Sequence, residues 1–143
     1  IVCDVDNFKA FNDIYGHTEG DNALSQVGKK IKQLARDSDL AFRYGGEEFV
    51  IFCARPEAEQ LANFTERLRR EIEGMAITHQ GNQPYGIVTI SVGGAIAERQ
   101  NMYQGFNTHQ ELQEAMFNVA DKALYECKQS GRNKVIWSSK LDK

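Results

Sequence analysis

Leu40-Ala41-Phe42-Arg43-Tyr44-Gly45-Gly46-Glu47-Glu48-Phe49-Val50-Ile51-Phe52-Cys53-Ala54 is two apolar, β-prone runs separated by a pair of glycines. A tight turn needs backbone angles that glycine adopts freely, so the stretch predicts a β-hairpin over 40–54 turning at Gly45-Gly46. Two carboxylates, Glu47 and Glu48, follow at once. A second acidic pair, Asp4 and Asp6, closes the apolar strand expected at Ile1–Val5. Carboxylates gathered at strand ends suit Mg²⁺-dependent phosphoryl transfer. Hard cations take oxygen ligands, and Mg²⁺ is usually held by one or two carboxylates together with the substrate's phosphates. Each part also has a plainer reading: solvated glutamates after a hairpin, and Asp6 as the N-cap of the next helix.

Outward from the hairpin, periodicity lays out the remaining elements. Asn7–Tyr15 reads as a short helix with Phe8, Phe11 and Ile14 on one side, stopped by Gly16. His17-Thr18-Glu19-Gly20-Asp21 reads as a glycine-bounded loop. It leads into a longer helix carrying Leu24, Val27, Gly28, Ile31, Leu34 and Ala35 at helical spacing. Pro56 is expected to open a third helix, with Leu61, Phe64, Leu68 and Ile72 inward and Gly74 at its end. Tyr85–Ala97 alternates as a long strand with Val88, Ile90 and Val92 on one face. Thr108 and Glu111 form a capping box for a fourth helix, which bears Leu112, Met116, Val119, Ala123 and Leu124 and ends at Gly131. Lys134–Trp137 is expected to be the last strand. Gln80–Pro84 and Gln100–Asn107 read as exposed loops, and His79 and His109 as surface residues. This order predicts an α/β fold of the α+β sandwich kind, a mixed central sheet with flanking helices. Strand ends and hairpin turn stay open to a ligand in such a fold, with Asp4, Asp6, Glu47 and Glu48 expected at one rim.

Composition narrows the class. The 143 residues are enough for one domain with a genuine core, read as a single unit over 1–143. A net charge of −3 argues against a nucleic-acid-coating surface, which would be basic. No apolar run approaches the length of a membrane span and no signal peptide is visible, so no direct membrane contact is expected. The first residue is Ile1 rather than Met, and the chain is therefore read as a fragment of a longer protein. Cys3, Cys53 and Cys127 are odd in number and lack pairing or metal-ligand spacing, which points to free thiols in a reducing cytosol.

Several further groups suit a nucleotide. The free N–H groups of the helix beginning near Asn7 and Phe8 could cradle a phosphate, with Lys9 alongside. Lys128 and Arg132 stand four residues apart at the end of the fourth helix. Asn12 offers a donor and an acceptor, and Asp21 can accept two N–H groups from an edge like that of guanine. Taken singly, these also read as solvated charges, a helix-surface residue and an N-cap.

Together they resemble one family. Asp4-Val5-Asp6-Asn7-Phe8-Lys9, Asn12-Asp13, Gly16-His17, Gly20-Asp21 and Arg43-Tyr44-Gly45-Gly46-Glu47-Glu48-Phe49 are similar to the motifs of GGDEF domains, the diguanylate cyclases. So are Thr89-Ile90-Ser91-Val92-Gly93, Ala120-Asp121-Lys122-Ala123-Leu124-Tyr125, Lys128 and Ser130-Gly131-Arg132-Asn133. The resemblance spans essentially the whole chain, with a Gly-Gly-Glu-Glu-Phe signature. It implies a fold akin to polymerase palms and nucleotidyl cyclases. The reaction it implies joins two GTP molecules into cyclic di-GMP with release of two pyrophosphates. That reaction runs at the interface of a homodimer, and the cofactor is Mg²⁺ or Mn²⁺.

On the family pattern Asp4, the Val5 carbonyl and Glu47 bind the metal, and Asn12 and Asp21 read guanine. Lys9, Lys128 and Arg132 hold the terminal phosphates, helped by the backbone at Asn7 and Phe8. Glu48 lies beside the reacting centre as a metal ligand or a base, not separated in role from Glu47, and His17 shapes the nucleotide loop. Arg36-Asp37-Ser38-Asp39 has the Arg-x-x-Asp spacing of the family's inhibitory site for cyclic di-GMP, with Arg67 as a supporting arginine. The family's helix before the first strand is absent from the chain. The implied setting is the cytoplasm, whether or not the parent protein is anchored in a membrane. The alternatives are a catalytically silent GGDEF domain acting as a GTP or cyclic di-GMP receptor, and a purely structural interaction domain.

Overall fold

The computed structural model describes residues 1–54, 57–97, 105–138 and 141. In chain order the elements are β1 (Val2–Val5), α1 (Phe8–Tyr15), α2 (His17–Leu34), β2 (Leu40–Gly45) and β3 (Glu48–Phe52). They continue with α3 (Ala58–Gly74), β4 (Ile90–Ala95), α4 (His109–Gln129) and β5 (Val135–Ser138). The strands form one five-stranded sheet in the order β2-β3-β1-β4-β5. All neighbours are antiparallel except β4 and β5, which run parallel. This is the mixed sheet with flanking helices that the sequence predicts.

Alternation along the strands separates two faces. Cys3, Val5, Phe49, Ile51, Ile90 and Val92 pack with Leu24, Val27 and Ile31 of α2 and Leu68 and Ile72 of α3 in one apolar core. The opposite face packs Val2, Val50 and Ala95 against Val119, Ala120 and Leu124 of α4. Gly93 lets α4 lie this close. A Cβ there would run into the Ala120 carbonyl and the Leu124 backbone, so no side chain fits. The α4 N-terminus is capped as expected: the Thr108 hydroxyl accepts from the Glu111 N–H at 3.1 Å, while the Glu111 carboxylate accepts from the Asn107 N–H at 2.8 Å.

Several expectations are corrected. The two-residue turn is Gly46-Glu47, because Gly45 still pairs with Glu48 after an irregularity past Arg43. Of the glycine pair only Gly46 needs its left-handed freedom, at φ 52°. The segment 17–21 is no loop, since α2 begins at His17 directly after Gly16. Asp21 therefore lies inside the helix rather than at its N-cap. Strand β4 starts at Ile90, not Tyr85, because Asn82 draws the preceding residues into a turn. Ile14, placed on the apolar side of α1, is 49% exposed. The start of the third helix at Pro56 lies outside the described residues, as does most of the loop expected at 100–107; α3 itself is described from Ala58.

Candidate active site

The site is built on the α4 face of the sheet. Asp4 is the cross-strand partner of Glu48 on β3 and of Ser91 on β4, so these side chains share the face that carries Val2 and Val50. Asp4 is buried at 8% exposure, and one carboxylate oxygen accepts from the Lys128 ammonium at 2.8 Å. Burial pushes its pKa up to about 6; the ammonium of Lys128 opposes that rise, while the charges of Glu47 and Asp6 add to it. Glu48 is also pushed up, first by loss of water and then by Asp121 on α4, with Lys128 acting against. Asp121 is the acidic neighbour that sequence reasoning passed over. The signal available was its position seven residues before Lys128, two helical turns along one face of α4.

The hairpin turn is seated on β1 by a hydrogen bond from the Val5 N–H to the Glu47 carbonyl at 3.2 Å. In a strand, N–H and C=O of one residue point the same way, so the Val5 carbonyl faces the turn as well. Arg43 braces the turn from the other side, donating from Nε to the Gly46 carbonyl at 2.6 Å. The donor set at this rim is therefore hard oxygen: the Asp4 and Glu48 carboxylates, Glu47, and a strand-end carbonyl. Among the described residues no three His, Cys, Asp or Glu side chains already converge as a closed metal cage. An open set of one or two carboxylates fits Mg²⁺, which keeps waters and substrate phosphates in its shell.

Asp6 does not cap α1. Its carboxylate is 1% exposed and accepts from the Thr89 hydroxyl at 2.7 Å, the Ser91 hydroxyl at 2.6 Å and the Asn133 N–H at 3.0 Å. The N-cap is Asn7, in the left-handed conformation at φ 52° and with no capping bond from its side chain. The first intrahelical bond runs from the Phe11 N–H to the Asn7 carbonyl at 3.1 Å, so the N–H groups of the first turn have no helical acceptor. Phe8 is buried beneath this turn and Lys9 is exposed on it.

Asn12 lies where α1 meets α2. Its carboxamide oxygen is buried without a hydrogen-bond partner, against Gly20, where any side chain would collide with it. His17 and Asp21 are exposed on the first turns of α2 beside it. At the other end of the rim α4 closes with the Arg132 N–H donating to the Cys127 carbonyl at 2.9 Å. Gly131, Arg132 and Asn133 all take positive φ there.

Away from this rim, Arg36 and Asp39 sit together on the connection from α2 to β2. The Asp39 carboxylate accepts from the Arg36 N–H at 2.8 Å, and the Arg36 guanidinium reaches Gln60 of α3 at 3.4 Å. Arg67, further along α3, is 67% exposed and pairs with Glu71. The cysteines are free; Cys3 and Cys127 are buried and Cys53 half-buried. Burial pushes the Cys3 thiol up to about 12 and Cys53 to about 11, which keeps both protonated and inert. His79, expected at the surface, is fully buried, as is Asn82 within the loop expected to be exposed. No helix among the described residues is long and apolar enough to cross a membrane.

Comparison with known proteins supplies the family. The family described as "Diguanylate cyclase, GGDEF domain" matches residues 1–134. Diguanylate cyclase A of Treponema denticola is 39% identical over 138 residues, which is 96% of this chain and 34% of that protein. The chain spans about a third of the length of the curated relatives it matches. Among solved structures, the coiled coil and GGDEF domain of DgcB from Caulobacter crescentus, in complex with c-di-GMP, superposes with a TM-score of 0.79. It is 31% identical, over 96% of this chain and 67% of that one. The active GGEEF domain of a diguanylate cyclase from Vibrio cholerae gives 0.75 at 25% identity, over 97% and 81% of the two chains. The fold is that of the palm-like nucleotidyl cyclases, and the chain belongs to the GGDEF domain family.

Proposed function

We infer that the chain is a diguanylate cyclase domain, condensing two GTP into cyclic di-GMP and two pyrophosphates. The observation that carries this reading is the buried Asp4 carboxylate. It is held at the strand end by Lys128, in register with Glu48 and beside the Gly46-Glu47 turn. A carboxylate kept this far from water is costly when ionised, and a cation opposite it relieves that cost.

Asp4, Glu47 and the Val5 carbonyl would hold Mg²⁺ or Mn²⁺. When bound, such an ion neutralises phosphate charge and acidifies the attacking hydroxyl. The remaining work belongs to the chain. The free N–H groups at the start of α1, with Lys9, Lys128 and Arg132, take the terminal phosphates. Lys128 already lies against Asp4, so it is placed to exchange that partner for a phosphate oxygen. Asn12, half-buried where α1 meets α2, and Asp21, exposed on the first turns of α2, offer hydrogen-bonding groups to the guanine edge. His17 shapes the entrance to α2. Glu48, pushed toward the protonated form, stands next to the reacting centre as ligand or base. Each chain binds one GTP, and two chains face each other so that each 3′-hydroxyl meets the other's α-phosphate; the dimer supplies orientation. Arg36, Asp39 and Arg67 form an inhibitory site for the product, with the guanidinium groups stacking on guanine and binding phosphate.

The test is to incubate the purified protein at high concentration with GTP and Mg²⁺ and separate the products by chromatography. Cyclic di-GMP and pyrophosphate are expected, at a rate rising steeply with protein concentration and abolished by Glu47→Ala. GTP left intact, with the protein folded and shown to dimerise, overturns the reading.

A further inference from the structure

The turn that leads into α1 is held from behind by two buried residues, His79 and Asn82. Asn7 has the only positive φ of a non-glycine residue on the β1–α1 connection, and a side-chain residue stays there only when its surroundings favour it. Two buried side chains supply that. His79 Nε2 lies 3.0 Å from the Asn7 carbonyl; a carbonyl can only accept, so Nε2 carries the hydrogen. The Asn82 carboxamide oxygen accepts from Asn7 Nδ2 at 2.9 Å. The same Asn82 donates to the Ile87 carbonyl and to the Thr89 hydroxyl, both at 2.8 Å, and Thr89 donates onward to Asp6. Asp6 in turn accepts from the N–H of Asn133, the residue after Arg132.

Packing seats the lock as firmly as its hydrogen bonds. The His79 ring meets Phe11 edge-on at 5.1 Å between centroids. A Cβ at Gly81 would lie 3.0–3.1 Å from the side chains of Ala10, Ile14 and His79, so the turn around Gly81 packs closely on that helix. His79 Nδ1 is left buried and without a partner, a cost the fold carries for keeping Nε2 on Asn7.

We propose that His79 and Asn82 are positioning residues for the triphosphate. They fix Asn7 in its left-handed conformation, which sets the direction of the free N–H groups of α1, and through Thr89 and Asp6 they register that turn against the loop bearing Arg132. The proposal rests on the reading that these two elements bind the terminal phosphates. It assigns a role to two buried residues that stand behind the turn.

The test compares wild type with His79→Phe and Asn82→Ala. The first keeps an aromatic ring against Phe11 and removes the donor; the second removes the link from Asn7 to Thr89. His79→Gln, which can still donate, serves as the conservative variant. Binding of inorganic pyrophosphate with Mg²⁺ and of guanosine is measured by calorimetry, KM and kcat for GTP by product formation, and folding by thermal melting. The expected result is folded variants with pyrophosphate affinity and KM each worse by about tenfold, guanosine affinity and kcat within about twofold, and partial rescue by His79→Gln. Folded variants that bind pyrophosphate like wild type overturn the proposal while leaving the phosphate reading intact. A wild type that binds guanosine but not pyrophosphate or GTP overturns the phosphate reading, and this proposal with it. If one variant fails to fold, the other decides.

Discussion

The two faces of the sheet divide the labour of the molecule. Toward α1, α2 and α3, Cys3, Val5, Phe49, Ile51, Ile90 and Val92 form an unbroken apolar layer, each at 6% exposure or less. Toward α4, cover is partial. Val2 and Val50 lie under the helix, but Leu40, Phe42 and Phe52 stay 61%, 39% and 43% exposed, and the strand ends carry Asp4, Glu48 and Ser91. Both patterns come from the same alternation along the same strands. A stable layer is built by filling every inward position with carbon. A reactive edge is built by leaving one helix to cover a face alone and setting charge where its cover ends.

The sharpest way to break this division is to change one face at a time. Asp4→Asn should lower cyclic di-GMP formation about 10³-fold while leaving the fold intact, because it removes the carboxylate proposed to hold the metal and only one salt bridge. Activity measured against the melting curve checks both halves. On the closed face the effects reverse. Ile90→Ala, at a fully buried position, should cost about 2–5 kcal/mol of stability in denaturant titration, with residual activity following the folded fraction. Gly93→Ala pushes on α4 backbone and should cost about 1–3 kcal/mol, and it should also weaken the site, since α4 carries Lys128.

Arg36→Ala tests a region belonging to neither face. It should weaken inhibition by added cyclic di-GMP at least about tenfold and move stability by less than about 0.5 kcal/mol, because Arg36 is exposed. Inhibition unchanged in this variant would remove the regulatory assignment. A further expectation concerns pH. Asp4 has its pKa raised from 3.8 to about 6, so the folded protein holds this proton more tightly than the unfolded chain. Its contribution therefore favours folding below about pH 4 and is lost as pH rises toward and past 6. In metal-free protein, Asp4→Asn should remove that part of the pH slope between pH 4 and 6. Affinity for Mg²⁺ should fall below pH 6, as the ion must then displace a proton.

The closed face was the more legible of the two. Phe49 and Ile51, or Val88, Ile90 and Val92, announce themselves by alternation, and the helices by Leu24, Val27 and Ile31 or Leu61, Leu68 and Ile72. On the reactive edge, Asp4, Glu47 and Glu48 could be singled out because acidic residues at strand ends are conspicuous, and Lys128 because of its place at a helix end. What stayed hidden depends on contacts far apart in sequence. Asn82 is polar, flanked by Gly81 and Gln83, and looks like solvent-facing loop. Its burial follows from partners at Asn7 and Thr89, which no local period predicts. Asp6 sits one residue before a helix and invites a capping role, but its acceptors are taken by Thr89, Ser91 and Asn133. Gly20 suggests a loop, yet in the fold it is a helical residue kept small to admit Asn12.

The most direct measurement is calorimetric titration of GTP into wild type and Asp4→Asn, each with and without Mg²⁺. The account predicts that Mg²⁺ strengthens GTP binding to the wild type by at least about tenfold and adds little for Asp4→Asn, whose melting curve stays cooperative. Equal binding with and without Mg²⁺ in the wild type, or an undiminished Mg²⁺ effect in Asp4→Asn, would contradict the assignment of the α4-side strand ends as the cation and triphosphate site.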